Sequence, residues 1–373
     1  MVFLSNFFGK NKDSLIKSES EWDCYQSFWN WFVDHQETFY NILEKHESVE
    51  ENFLNPLGNA VRPISEHIYF LVGMNNEGKA ELIFTSDGVI KAIPVVEELV
   101  SRAPALPRWN FIAHKQAFEV DRYGIKMGEY GFDGEKIHFF VNEQSGYPDL
   151  ISLGLIYADF KPKDKELIEN GCMIFLDNYL GELAFVSQVD EIELVETTEG
   201  KELIPIVKLK DYLVWREKEF VEKYKEIRKD TEHDSYSGIE GTLNNGMPLI
   251  GIVNSTLMEW EAKASHPWLM RIDIGYRADD DTGMPNREDY KLMDELEGEI
   301  TAVLADKDGY LNVARQTADG LREIFFACKD FRRPVQVLED ISQKYKQSTL
   351  DINYVIYRDK YWKSLDFFKT SAY

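Results

Sequence analysis

The stretch Trp268-Leu-Met-Arg-Ile-Asp-Ile-Gly-Tyr276 decides how this chain reads. From Met270 onward apolar and polar side chains alternate, the period-two pattern of a strand with one buried face. Working downstream, residues 277–285 form a loop, and Asn286 stands where it would cap a helix running to Leu304. Leu292, Leu296, Ile300, Val303 and Leu304 give that helix its apolar face. Leu311–Thr317 and Leu321–Ala327 read as a hairpin about Ala318-Asp319-Gly320. Pro334 suits the first turn of a second helix, with Val335, Leu338, Ile341 and Tyr345 inward, and Ile352–Tyr357 is the last strand. The order β-α-β-β-α-β predicts a ferredoxin-like α+β domain, an antiparallel sheet with two helices on one side.

Working upstream, Pro248–Val253 reads as a strand, and Lys229–Ser237 is strongly polar and without periodicity. A boundary there divides the 373 residues into domains at 1–230 and 231–373, each long enough for its own core. The first domain is expected to be α+β and to end in a charged helix, Asp211–Arg228. Its opening helix, residues 20–46, is crowded with aromatics; Ser20 is a candidate cap, and a short helix follows at Val49–Val61. Strands are expected at Ile68–Val72 and Ala80–Phe84, about the turn Asn75-Asn-Glu-Gly78, then a helix at Ile90–Val100 and a strand at Trp109–Ala113. Further strands are expected at Phe118–Tyr123, Lys136–Val141, Leu150–Tyr157, Leu183–Val186 and Glu191–Val195, with a helix at Asp164–Leu180 stopped by Gly181. The ββαβ run at 68–114 recurs at 310–357: at one offset Gly78 meets Gly320, Glu81 meets Glu323, Phe84 meets Phe326, Val95 meets Val337 and Glu97 meets Glu339.

Charge narrows the function. The chain holds 42 Lys and Arg against 66 Asp and Glu, a formal net charge of −24. A surface that acidic is ill suited to phosphate backbones or anionic membranes, so neither nucleic acid nor membrane is expected as partner. The excess spreads over both domains. One dense patch runs from Asp279 to Glu299, including Asp280, Asp281, Glu288 and Asp289. It reads either as a solvated helix face or as a docking surface for a basic protein. Three scattered cysteines, Cys24, Cys172 and Cys328, fit a reducing cytoplasm, and the first residues lack the basic start of a signal peptide.

Catalytic signatures are missing. The seven histidines form no HxxxH or HExxH spacing, and no GxSxG elbow, Walker loop or strand-borne GxGxxG occurs. Asp279-Asp280-Asp281-Thr282-Gly283 invites a calcium reading, but Gly283 falls at position five of the loop, where a ligand is needed. No metal or cofactor is therefore assigned.

The stretch from about Pro248 to the C-terminus resembles the bacterial domain-of-unknown-function family 695. The residues that carry this are His266-Pro267-Trp268-Leu269 leading into Arg271–Ile274, Gly283-Met284-Pro285, Thr317-Ala-Asp-Gly320-Leu-Arg322-Glu323-Ile-Phe325-Phe326, and Asp359-Lys-Tyr-Trp362. The resemblance implies a ferredoxin-like domain with no catalytic residues to carry over. That family is similar in turn to the regulator of ribonuclease E activity B family, acidic proteins that inhibit by binding a nuclease.

The leading expectation is an acidic, non-catalytic protein that binds or regulates a basic macromolecule, with Asp279, Asp280, Asp281, Glu288, Asp289, Trp268 and Trp362 as candidate contact residues. The competing expectation is an enzyme or small-ligand binder with a site between the domains, drawing on Trp109, Tyr123, His138 or Tyr157. A subunit of a homo-oligomer is the third.

Overall fold

The computed structural model describes residues 3–4, 21–119, 124–198 and 200–370. The candidate cap Ser20, most of the first twenty residues and most of the strand expected at Phe118–Tyr123 lie outside them; Phe118 and Glu119 are not in a strand. The fold is α+β. Its elements in chain order are β1 (Phe3–Leu4), α1 (Glu21–Lys45), α2 (Asn55–Val61), β2 (Tyr69–Met74), β3 (Ala80–Thr85), α3 (Ile93–Ser101), β4 (Trp109–Ala113), β5 (Ile125–Met127), β6 (Tyr130–Phe132), β7 (Ile137–Val141) and β8 (Ser152–Tyr157). There follow α4 (Lys165–Leu180), α5 (Glu182–Gln188), β9 (Glu191–Leu194), β10 (Ile204–Pro205), α6 (Leu209–Tyr224), β11 (Tyr236–Thr242), β12 (Pro248–Asn254), α7 (Ser255–Met258) and β13 (Trp268–Gly275). The chain closes with α8 (Arg287–Val303), β14 (Tyr310–Ala318), β15 (Leu321–Cys328), α9 (Arg332–Tyr345), β16 (Asp351–Arg358) and α10 (Phe367–Thr370).

Contacts group these elements into two compact units. One comprises Met1–His138, Leu155–Ser187 and Leu194–Val207; the other comprises Phe139–Gly154, Gln188–Glu193 and Lys208–Tyr373. This differs from the single cut expected near residue 230, because charge and hydroxyl groups tie earlier segments to the C-terminal strand. Arg358 Nε and Lys360 Nζ each lie 2.7 Å from the Asp190 carboxylate. The Asp149 carboxylate accepts from Tyr224 Oη at 2.7 Å, Tyr361 Oη at 2.8 Å and Lys223 Nζ at 2.9 Å. Buried charges stay in a fold only when paired in this way.

In the first unit the sheet runs β1-β2-β3-β4, with β2 and β3 antiparallel and β3 and β4 parallel. The aromatics of α1 fall three and four residues apart, so Tyr25, Phe28, Trp29 and Phe32 share a buried face. Trp29 donates its indole N–H to the Leu99 carbonyl at 2.9 Å, and Phe32 meets Trp109 edge to face at 4.9 Å. The segment expected as a strand at Leu183–Val186 is instead part of α5. A four-residue apolar run carries no period of its own, and Gly181, at φ +82°, turns the chain so that Phe185 N–H can bond back to its carbonyl. Strands β5 and β6 form a small antiparallel ribbon.

The second unit is built on a six-stranded sheet in the order β11-β12-β14-β15-β13-β16, antiparallel at every pairing. Strand β11 starts at the end of the polar segment taken as linker; its edge position leaves most of its side chains in water, so no buried period is written there. On one side of this sheet Ile239, Val253, Leu269, Phe325 and Trp362 pack with Leu257 of α7 and Phe368 of α10. The other side carries α8 and α9. Tyr354 donates to Glu339 of α9 at 2.6 Å, and Arg315 meets Glu297 of α8 at 2.7 Å.

Candidate functional site

Cross-strand register places the helix-side residues in rows: Ile252, Arg315, Ile324, Ile272 and Tyr354 form one row, and Ile250, Thr317, Arg322, Ile274 and Ile352 the next. Helices α8 and α9 bury the right-hand part of each row. Ile324, Ile272 and Ile274 are fully enclosed, as are Met293, Leu296 and Ile300 of α8 and Leu338 of α9. At the β12 end, by contrast, Ile250 is 53% exposed and Ile252 39%, and Tyr236 of β11 is 57% exposed. A row that is dry at one end and wet at the other marks a sheet wider than the two helices laid on it.

The gap between α8 and β11–β12 is a trough. One hollow of about 530 Å³ is lined by Tyr236, Ile252, Thr301, Leu304 and Tyr310, among others. A second of about 310 Å³ is lined by Ile250, Ile252, Met284, Pro285, Tyr290 and Arg322. Ile252 and Arg315 belong to both, so the hollows adjoin. Two guanidiniums stand along the helix wall. Buried Arg322 reaches Asp294 at 2.9 Å and Thr317 Oγ1 at 3.1 Å, with its charge 5.1 Å from the Tyr290 ring centre. Arg315 pairs with Glu297; burial alone would lower its pKa, and that carboxylate more than reverses the effect. Both cations are thus paired with carboxylates of α8, and the exposed Glu240 of β11 stands opposite Ile250.

The candidate contact residues scatter. Asp279, Asp280 and Asp281 are exposed on the loop before α8, as is Glu288 in its first turn. Asp279 also shapes that loop: its carboxylate accepts from Thr282 Oγ1 at 2.9 Å, Thr282 N–H at 3.0 Å and Asp281 N–H at 3.2 Å, and these bonds hold it below the usual carboxylate range. The same loop delivers Met284 and Pro285 to the smaller hollow. Asp289 is a correction. It is buried, accepting from Asn286 Nδ2 at 3.0 Å and from the Thr349 hydroxyl, and so it anchors the helix start rather than facing a partner. Trp268 and Trp362 are corrected likewise. Trp268 packs edge to face on Phe331 at 4.7 Å, and Trp362 is fully enclosed with its indole N–H bonded to the His266 carbonyl at 2.9 Å. Large rings at the ends of core strands are anchors as readily as contacts.

Of the residues considered for a ligand cleft, Trp109 and Tyr157 are buried, His138 is half-buried and Tyr123 lies outside the described residues. Tyr236, Ile250, Ile252 and Arg315 were not foreseen. The available signal was Leu249-Ile-Gly-Ile-Val253, a strand apolar on both faces, which demands cover on both sides.

A second polar centre lies in the first unit. Glu182 is fully enclosed at the start of α5, and its carboxylate accepts from Ser86 Oγ at 2.7 Å, Ser86 N–H at 3.0 Å, Lys115 N–H at 3.2 Å and the Thr85 hydroxyl. His114, at φ +64°, holds Nδ1 3.5 Å from the same group. Burial pushes this carboxyl up, but His114, Ser86 and Thr85 outweigh it and bring the pKa down to about 2. A carboxylate so saturated and closed from water clips β3, β4 and α5 together; it has no lone pair free for proton transfer. Among the described residues no group of three or more His, Cys, Asp or Glu gathers as a metal site, and no helix is long and apolar enough to cross a membrane.

No curated protein and no solved structure matches this chain. Two of the stretches that carry the family resemblance, Met284-Pro285 and Thr317–Arg322, meet at the smaller hollow. Residues 241–368, which hold all of α8, α9 and strands β12 to β16, match the model of a family of unknown function, DUF695.

Proposed function

We propose that the C-terminal unit is a ferredoxin-like protein-binding domain, and that the chain acts by holding a basic protein partner in the trough beside α8 rather than by catalysis. The observation that carries this reading is the exposed apolar shelf of Ile250, Ile252 and Tyr236 on the helix side of the sheet. Isolated exposed apolar residues are ordinary, but three that line one trough are the mark of a contact surface. The strand order β14-β15-β13-β16 with α8 and α9 on one side supports the ferredoxin-like assignment. The net charge of −24 and the exposed Glu240 opposite Ile250 support a cationic partner, whose approach such a field would speed. A reducing cytoplasm suits three cysteines that are all free thiols.

The test is affinity capture from lysate with the full chain and an Ile250→Asp/Ile252→Asp variant, each at low and high salt. A basic protein retained at low salt by the wild type, released by salt and lost from the variant supports the reading. Equal retention by wild type and variant overturns it.

A further inference from the structure

Building on that docking surface, the geometry points to its occupant: we infer that the trough receives an amphipathic, basic α-helix, which lies beside α8 as a third helix on the sheet. Three observations choose the helix over other occupants.

Width comes first. Two strands span about 10 Å of sheet, and packed helices lie about 8–10 Å apart. The uncovered part of the helix side consists of β11 and β12, room for one helix next to α8. The hollows follow α8 from Tyr290 to Leu304, a span of about 20 Å at the helical rise, which matches a partner helix of about 14 residues.

The position of the apolar groups decides between helix and strand. A peptide strand adding to the sheet would pair with β11 at the edge and leave the face untouched. Ile250 and Ile252 are on β12, one strand in from that edge, and they face out of the sheet plane. Gly238, which pairs with Ile252, leaves open space where its side chain would stand. A helix lying across that floor would cover all three positions at once.

Charge decides the partner's chemistry. Arg315 and Arg322 are already paired with Glu297 and Asp294, so the exposed Glu240 opposite Ile250 and the chain's net charge of −24 call for Lys and Arg on the flanks of the incoming helix. A second copy of this chain would bring another −24 and is disfavoured for that reason.

The test uses fluorescence anisotropy with the full chain and a labelled peptide of about 16 residues, with leucines at i, i+3, i+4 and i+7 and lysines beside them. Two analogues serve as controls, one interrupted by a central proline and one with glutamate in place of lysine. The helical basic peptide is expected to bind at low salt, with each analogue at least about tenfold weaker. Ile252→Asp should weaken binding by about tenfold or more. Gly238→Phe should do the same by filling the floor, while backbone circular dichroism stays unchanged, since that position has ordinary φ and free space. Equal binding by the proline analogue, indifference to both variants, or no binding of the helical peptide overturns the inference. If the helical peptide fails while a captured partner still depends on Ile250 and Ile252, the helix falls and the docking surface stands. If capture is indifferent to both isoleucines, the docking surface itself falls.

Discussion

The runs Tyr69–Ala113 and Tyr310–Arg358 are spelled alike, a hairpin, a helix and a strand, yet they build different sheets. Gly78 and Gly320 both turn their hairpins at positive φ, +75° and +82°, and Phe84 and Phe326 are both fully enclosed. After the helix the two part. In the first, β4 pairs directly with β3 in parallel. In the second, β13 stands between β15 and β16 and pairs antiparallel with both. The strand that fills that gap comes from before the repeated unit, so the shared local sequence cannot specify it. The ends differ as well. The first run closes on the Glu182 clip, whereas the second continues through β14 into β12 and β11, and there the exposed shelf lies.

The comparison can be broken at its centre. Phe84→Ala and Phe326→Ala should each cost about 3–5 kcal/mol, read separately from amide hydrogen exchange in β3 and β15. A cost under about 1 kcal/mol at either site would show that the two phenylalanines are not equivalent core residues.

Next in size is the clip that only the first run has. Glu182→Ala leaves the Ser86 and Thr85 donors buried and unmatched, at a cost of about 3 kcal/mol. Its acid dependence follows from a folded pKa of about 2 against an ordinary 4.5. Because the folded value is the lower one, the stabilisation is complete above the unfolded value and is lost as pH falls from about 4.5 towards 2. Denaturant unfolding across that window should steepen for the wild type and flatten for the variant. The same slope in both would remove Glu182 as the cause.

The second run has a smaller device at the corresponding place. Asp330 accepts from the Tyr310 hydroxyl at 2.7 Å and from Arg332 N–H at 3.0 Å, at the start of α9. Asp330→Ala should cost about 1 kcal/mol in thermal unfolding. A loss as large as that at Glu182 would make the two runs energetic counterparts after all. Smallest is Ile252→Asp, expected within about 0.5 kcal/mol of the wild type, because the side chain already meets water. A large loss would mean that the shelf serves the fold rather than a partner.

Much of the architecture was legible in the residues. The hairpins at Gly78 and Gly320, the capped start of α8 at Asn286 and the aromatic face of α1 each rest on neighbours within a few positions. What failed did so for stated reasons. Leu183–Val186 was too short to show its period, and β11 is an edge strand whose side chains are mostly wet. The contact residues were harder. Asp289, Trp268 and Trp362 have the chemistry of a binding surface, but nothing in their local sequence reveals that each is enclosed by segments tens of residues away.

The sequence by itself determined most strands, turns and helices, and the net charge of −24, because propensity, capping, periodicity and charge are local or additive. Only the tertiary structure decided which strands are neighbours and which apolar residues stay uncovered. Ile250 and Ile252 read like any core strand residues; they face water because α8 and α9 span four strands of a six-stranded sheet, and that width is set by long-range pairing alone.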